Sequence, residues 1–257
     1  MPYTKSKGSF MSKRVALVTG GMGGLGTALC RRLHLDGFTV AATFSPSNHH
    51  GREWLASHRR DGMEFIALEA DVADFECAGR AVQRLLGHTG RIDVLVNNAG
   101  LARDRSMCRM GLDDWHAVMG VNLDGAFNMA RHTIDTMVAQ RWGRIVNIGS
   151  VTGQQGALNQ ANYAAAKAGL HGLTKALALE SGRHGVTVNT VSPGYLDTRS
   201  THDVSPQVLH ERILPQIPVG RLGQPGEVAA MVSWLVSDAA GFVTGANLAI
   251  NGGQHMC

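Results

Sequence analysis

The chain has no long hydrophobic run and few cysteines. No apolar stretch approaches the ~18 residues that a transmembrane helix needs, so no membrane span is predicted. Only 4 of the 257 residues are cysteines, and they form neither a CxxC pair nor a zinc-ligand spacing. Scattered cysteines of this kind are typical of a reducing cytoplasm, so we expect a cytoplasmic protein with no metal site.

An excess of charge of one sign is also missing. The net charge is only +4, charged residues make up 17% of the chain, and the basic residues are dispersed. A nucleic-acid partner is therefore not expected. Residues 1–12 lack the apolar core of a signal peptide, and we expect them to form a flexible extension.

Apolar runs that resemble buried strands alternate with helical patterns through the rest of the chain. Strands are predicted at 14–19, 39–43, 64–68, 92–96, 145–148, 187–191 and 247–250. Helices are predicted at 24–36, 51–60, 74–87, 112–138, 161–183 and 225–237. This order predicts an α/β fold: one Rossmann-type domain over 13–257, with a doubly wound parallel sheet of about seven strands and helices on both faces. The less regular segment 194–224 is the predicted substrate loop or lid.

Three polar residues suggest proton-transfer chemistry. Tyr163 and Lys167 are four apart in an alanine-rich helical segment, so they share a face. Ser150 follows a predicted strand, thirteen residues before the tyrosine. Because an ammonium favours the phenolate, Lys167 is expected to lower the pKa of Tyr163 and make it a proton donor or acceptor near neutral pH. The Ser150 hydroxyl can hold a carbonyl oxygen.

A glycine-rich turn, TGGMGGLG at 19–26, follows the first strand and opens the first helix. Glycines permit a tight turn and bring a pyrophosphate close to the helix N-terminus, which predicts a dinucleotide site. The segment NNAG at 97–100 and the pair Pro193-Gly194 follow two other strands. We expect them at the same edge of the sheet, beside the adenine ribose and the nicotinamide respectively.

The end of the second strand bears on the choice of cofactor. It carries no acidic residue, whereas NAD sites usually place one there against the ribose 2′-hydroxyl. Ser45, Asn48, His50 and Arg52 can approach a 2′-phosphate instead, so NADPH is expected and NADH stays possible. Asp71, after the third strand, is expected either to bond the adenine or to cap the helix near 74.

Together these motifs resemble the short-chain dehydrogenase/reductase family, over residues 14–253. The family patterns TGxxxGxG, NNAG and YxxxK are all present, with the family's asparagine at Asn122. Within the family the chain is most similar to the acetoacetyl-CoA reductases of polyhydroxyalkanoate synthesis. It departs from them at Ala157 and Leu158, where Gln-Phe is common, and at His50, which replaces an arginine.

The resemblance implies NADPH-dependent reduction of a 3-oxoacyl-CoA, such as acetoacetyl-CoA, by a homotetramer. It implies Tyr163 as the proton donor, Ser150 and Lys167 as its partners and Asn122 as the holder of a water. The expected cofactor-binding residues are Gly20, Met22, Gly23, Gly24, Leu25, Gly26, Ser45, His50, Asp71, Val72, Asn98, Ala99, Gly100, Tyr163, Lys167, Pro193 and Gly194. The expected substrate-binding residues are Asp104, Ala157, Leu158, Gln160 and Tyr195.

The residues leave alternatives open. A 3-oxoacyl-acyl-carrier-protein reductase of fatty-acid synthesis would share these motifs, and a reductase of a sugar or steroid ketone would share the trio. A cofactor-binding regulator without turnover would typically lack one of Ser150, Tyr163 and Lys167, so it is the least favoured alternative.

Overall fold

The computed structural model describes residues 13–202 and 204–256. Within them, seven parallel strands form one sheet in the order β3-β2-β1-β4-β5-β6-β7. The strands are β1 Val15–Val18, β2 Thr39–Phe44, β3 Phe65–Glu69, β4 Val94–Asn97, β5 Gly143–Ile148, β6 Val186–Pro193 and β7 Asn247–Ile250. The predicted doubly wound parallel sheet is confirmed.

Helices connect the strands and cover both faces of the sheet. They are α1 Gly24–Leu35, α2 Gly51–Arg60, α3 Phe75–Thr89, α4 Leu112–Met119, α5 Gly125–Gln140, α6 Thr152–Gln155, α7 Ala161–Ser181, α8 Arg199–His202, α9 Pro206–Val208 and α10 Pro225–Leu235. Short π-helical turns lie at Gly120–Asp124 and Leu209–Ile213, and 3₁₀ turns at Gly182–His184, Leu214–Gln216 and Asp238–Ala240.

The core consists of two layers, one on each face of the sheet. Helices α3, α5 and α7 pack on one face, with Leu17 pointing toward them. Helices α1 and α10 pack on the other, which receives the next residue, Val18. Because alternate residues of each central strand are buried on opposite faces, the strands appear in the sequence as continuous apolar runs.

Three short helices, α6, α8 and α9, are not among the predicted elements, and two predicted elements differ in extent. The helix expected over 112–138 is interrupted by the π-helical turn Gly120–Asp124, which separates α4 from α5. Strand β6 runs to Pro193 because its last residues pair with β7 up to Ile250. The pairing of β6 with β7 is a contact distant in sequence, which local periodicity does not record.

The segment 194–224 leaves and rejoins the domain at one point. A bridge between Leu196 and Gly223 closes its base, and the Gly223 amide donates to the Tyr195 oxygen at 2.9 Å. Its role as a substrate loop stays a prediction, as do the domain bounds. The N-terminal extension expected at 1–12 lies outside the described residues.

The order of the strands locates the cleft. The chain builds β2 and β3 on one side of β1 and then crosses to place β4 on the other side. In open parallel sheets, ligands bind at the carboxyl ends of the strands where this reversal occurs. The turns that follow β1, β4 and β5 therefore lie at this edge.

Candidate active site

Ser150, Tyr163 and Lys167 meet just beyond the carboxyl end of β5. The Tyr163 hydroxyl is hydrogen-bonded to the Ser150 side chain, and the Lys167 Nζ lies 5.5 Å from the centroid of the tyrosine ring. The lysine is only 3% exposed, and its Nζ donates to the main-chain oxygen of Ile148 at 2.8 Å. The structure thus brings together the three residues that the sequence singles out.

Burial shifts the pKa values of both Tyr163 and Lys167. Burial raises the pKa of Tyr163; the Ser150 hydrogen bond opposes this rise, and the charge of Asp104 adds to it. Burial also lowers the pKa of Lys167 to about 8. The pKa of Tyr163 is therefore raised, not lowered as expected, because burial outweighs the influences that favour the phenolate. Tyr163 is therefore protonated at neutral pH, which is the form that donates a proton.

Asn122 lies on the π-helical turn between α4 and α5. Its Nδ2 donates to the main-chain oxygens of Leu101 and Val118, at 2.7 and 2.9 Å. Its Oδ1 is buried and has no hydrogen-bond partner among the described residues. A Cβ at Gly100 would lie 3.1 Å from this oxygen and 3.8 Å from the Lys167 Nζ. The unpaired oxygen and the buried ammonium therefore border the same small space, where a water molecule would have partners.

The glycine turn brings main-chain segments too close together for side chains. Gly20 has a φ of +59°, and a Cβ at Gly26 would collide with the Gly20 oxygen. A Cβ at Gly21 would lie 2.6 Å from the Cβ of Ala42. No described side chain caps α1, which begins at Gly24, so its first amides remain available to an anion. These features fit the pyrophosphate of a dinucleotide.

The other two residues of the turn, Met22 and Leu25, have packing contacts. The Met22 sulfur would lie 3.5 Å from a Cβ at Gly51, so Met22 packs over the start of α2. Leu25 packs against the core of the α1 face. Their contribution to a cofactor site stays a prediction.

Three of the four expected 2′-phosphate residues, Ser45, His50 and Arg52, are exposed beyond the end of β2, and Asn48 is half-buried. The Ser45 and Ser47 hydroxyls are 2.9 Å apart. The His50 Nδ1 lies 3.3 Å from a Glu53 carboxylate oxygen, and both side chains are 83% exposed. The negative charge of the Glu53 carboxylate disfavours a phosphate at this position.

Asp71 does not cap α3, so that alternative is wrong. The cap is Asp74, whose carboxylate accepts from the Cys77 amide at 2.6 Å, because the helix begins at Phe75. Asp71 instead accepts from the Ala73 amide at 3.0 Å and is exposed. The neighbouring Val72 side chain is buried, so only its main chain can face a ligand.

The segment at 97–100 is bonded to the glycine turn. The Asn98 Nδ2 donates to the oxygens of Thr19 and Gly20, at 2.9 and 3.1 Å. The amides of Asn98 and Ala99 both donate to the Thr19 hydroxyl at 2.9 Å. The carboxyl ends of β1 and β4 therefore form one rigid wall of the cleft.

Pro193 and Gly194 form the opposite wall. The Val151 amide donates to the Pro193 oxygen at 2.8 Å, which ties the end of β6 to the loop that carries Ser150. A Cβ at Gly194 would lie 2.9 Å from the Gln254 Oε1. The main chain at Gly194 is therefore packed closely against the C-terminal segment.

Four of the five expected substrate residues lie along one rim of the trio. The Gln160 Nε2 donates to Asp104 at 2.9 Å, and Asp104 raises the pKa of Tyr163 by its charge. Ala157 and Leu158 belong to the same loop, and Leu158 is 89% exposed. The rim therefore combines a polar pair with an open apolar position.

The fifth expected substrate residue, Tyr195, is 39% exposed. It lines a cavity with Ile217, Val219 and Ile250, between the segment 194–224 and the ends of β6 and β7. None of the trio lines this cavity. The expected covering of the acyl group by the Tyr195 ring stays a prediction.

A family model described as short chain dehydrogenase matches residues 14–209, most of the chain. The chain belongs to the short-chain dehydrogenase family. It is therefore an oxidoreductase that uses a nicotinamide cofactor, and the resemblance noted from its motifs is confirmed.

Curated members of the short-chain dehydrogenase family are similar over nearly their full length. The acetoacetyl-CoA reductase of Cupriavidus necator is 48% identical over 246 residues, 96% of this chain and 100% of its own. That of Allochromatium vinosum is 46% identical over 95% of this chain and 99% of its own. The 3-oxoacyl-acyl-carrier-protein reductase of Pseudomonas aeruginosa is 42% identical over 95% and 98%.

Two residues of this short-chain dehydrogenase make contacts that were not predicted from the sequence. Thr19 joins the two strand ends described above. Asn162 is fully buried: its Nδ2 donates to the oxygens of Arg103 and Asp114, and its Oδ1 accepts from the Tyr163 amide at 2.8 Å. The only local signal for Asn162 is a polar residue directly before the tyrosine in an alanine-rich helix.

The described residues contain no cluster of three or more His, Cys, Asp or Glu side chains that could hold a metal ion. Among the helices of the described part, none is both long enough and apolar enough to cross a membrane.

Proposed function

We propose that this protein reduces acetoacetyl-CoA, a 3-oxoacyl thioester, to the 3-hydroxyacyl-CoA with NADPH. One observation carries the chemistry: Tyr163 is held protonated against Ser150, with the buried ammonium of Lys167 beside its ring. The substrate class is supported by the acetoacetyl-CoA reductases that match this chain over nearly its full length.

Each side chain of the trio has a separate role at the substrate carbonyl. The bound nicotinamide supplies the hydride. Tyr163 donates its phenolic proton to the carbonyl oxygen, and Ser150 donates a hydrogen bond to the same oxygen as negative charge develops on it. Lys167 holds a positive charge beside Tyr163, which stabilises the tyrosinate left after proton transfer.

Asn122 belongs to the path by which Tyr163 regains its proton. Its Nδ2 is used by two main-chain oxygens, so its Oδ1 is the atom that remains for a water. Such a water would lie between this oxygen and the Lys167 Nζ, and would return protons from solvent to the trio.

The preference for NADPH is supported by the end of β2, where Ser45 is exposed and no carboxylate occupies the end of the strand. Arg52 is the nearest residue in sequence that carries a permanent positive charge. The Glu53 partner of His50 weakens this site relative to one with an arginine.

A second candidate is reduction of the same 3-oxoacyl group on an acyl-carrier protein. The reductase of Pseudomonas aeruginosa with that name matches the chain at 42% identity. The chemistry at Tyr163 would be the same, and only the recognition of the carrier would differ.

The proposed assembly is a homotetramer formed through α5 and α7, in the cytoplasm. Phe127 on α5 and Leu179 on α7 are large apolar side chains left 48% and 82% exposed. Burying them against a second copy would remove apolar surface from water. Sedimentation at equilibrium should give the mass of four chains.

The cytoplasmic location is supported by the cysteines. Cys30, Cys77 and Cys108 are free thiols, in keeping with a reducing compartment.

The decisive experiment measures oxidation of NADPH and of NADH with acetoacetyl-CoA and, separately, with acetoacetyl-carrier protein. We expect the largest kcat/KM for NADPH with acetoacetyl-CoA. A larger value with the carrier protein would favour the second candidate, and no turnover with either thioester would contradict both.

A further inference from the structure

An in-register row of polar side chains crosses the sheet beneath α7. Leu95, Ile145 and Val188 belong to the apolar core on this face. Two residues further along each strand, on the same face, come Asn97, Asn147 and Thr190. They are direct neighbours, because Asn97 pairs with Asn147 and Asn147 pairs with Thr190. All three are at most 5% exposed.

Hydrogen bonds join this row to α7 through Thr174. The Asn97 Nδ2 donates to the Asn147 Oδ1 at 2.8 Å, which directs the Asn147 Nδ2 toward the helix. That Nδ2 donates to the Thr174 hydroxyl at 2.8 Å, and the hydroxyls of Thr174 and Thr190 are 2.7 Å apart. An apolar layer can pack in several ways, whereas buried hydrogen bonds are costly to leave unmade and so favour one arrangement.

The same strand and helix also hold the reacting groups. Thr174 lies seven residues after Lys167, two turns along the same face of α7. Asn147 directly precedes Ile148, whose oxygen accepts from the Lys167 Nζ. Neighbouring residues of β5 therefore fix α7 at two points, and a shift at Thr174 would move the ammonium as well.

We propose that Asn147 and Thr174 are positioning residues of the reaction: their hydrogen bond holds α7 in place on β5 and thereby sets the positions of Tyr163 and Lys167. This inference rests on the function proposed above, because it assigns the two residues an effect on turnover beyond their effect on folding.

The test is Thr174→Val, which removes one hydroxyl at nearly constant volume. It leaves the Asn147 amide and the Thr190 hydroxyl without this partner. We expect kcat for acetoacetyl-CoA to fall roughly ten-fold, because small displacements of catalytic groups are costly. KM should change less than about two-fold, and the pH profile of kcat should be displaced. Thr174→Ser restores the hydroxyl and should restore kcat.

Thr133→Val is the matched control. Thr133 is as buried as Thr174, but within the described part of the chain its hydroxyl bonds only to Met129 and Ala130 of α5. The control should lose stability and keep kcat within about two-fold, measured where all variants are folded. If Thr174→Val does not fold, Thr174→Cys, with a weaker hydrogen-bonding thiol, should lower kcat roughly three-fold.

Three results would overturn the proposal: an unchanged kcat in the Thr174 variant that folds, an equal loss in Thr133→Val, or no recovery in Thr174→Ser. If the wild type reduces acetoacetyl-CoA and the folded Thr174 variant keeps the same kcat, only the positioning role is contradicted. A wild type without turnover contradicts the proposed function itself.

Discussion

The ammonium of Lys167 is bonded to a neutral group, the main-chain oxygen of Ile148, at 2.8 Å. A carbonyl dipole compensates only part of the hydration that a buried ammonium loses. Burial therefore lowers the pKa of Lys167 to about 8. The lysine carries a charge at neutral pH and gives up a proton more readily than an exposed lysine.

The lowered pKa of the buried Lys167 makes folding stability depend on pH. The pKa of Lys167 is about 8 in the folded protein, below the ~10.4 of an unfolded chain, so the unfolded state binds more protons between these values. The cost of the buried charge is complete below pH 8 and disappears as the pH rises to 10.5. Between pH 8 and 10.5, the free energy of unfolding of the wild type should therefore rise by about 3 kcal/mol relative to that of Lys167→Met.

Urea unfolding of the two proteins at a series of pH values measures this gain. Lys175→Met, an exposed position on the same helix, is the control for a lost lysine. If the difference in free energy of unfolding between the wild type and Lys167→Met stays constant from pH 8 to 10.5, the lowered pKa of Lys167 is contradicted.

Tyr163→Phe removes the proposed proton donor and keeps the ring. We expect kcat to fall by roughly 10²–10⁴, the usual contribution of a general acid. Cofactor affinity, followed by nicotinamide fluorescence, should stay nearly unchanged. A variant with wild-type kcat would show that another group supplies the proton.

Two glycines of the turn should respond differently to alanine. At Gly26 a Cβ would collide with the Gly20 oxygen, whereas at Gly23 the nearest atom would be at an ordinary 3.5 Å. Gly26→Ala should lower the free energy of unfolding by about 1–3 kcal/mol and weaken cofactor binding. Gly23→Ala should cost much less stability. Equal losses in thermal unfolding would refute the steric explanation.

Ser45→Asp should change the cofactor preference. It places a carboxylate at the end of β2, where it can bond a ribose 2′-hydroxyl and repel a 2′-phosphate. The ratio of kcat/KM for NADPH to that for NADH should fall at least roughly ten-fold. Gln83→Glu, on the exposed side of α3, adds the same charge elsewhere and should leave the ratio unchanged.

The fold could be predicted because its signals are local. A strand buried on both faces gives a run of apolar residues, as in β1, and a glycine turn follows it directly. The spacing of Tyr163 and Lys167 on one helix likewise follows from helix periodicity. The same logic failed for one of the two roles expected of Asp71, because the residue that caps the helix is Asp74, three residues later.

The sequence by itself determined the alternation of strands and helices, the dinucleotide turn and the identity of the trio, since each depends on neighbours within a few residues. Only the tertiary structure decided the direction of the Tyr163 pKa, the unpaired Oδ1 of Asn122 and the bond between Asn147 and Thr174. Those properties depend on burial and on contacts between distant segments, which local spacing does not encode.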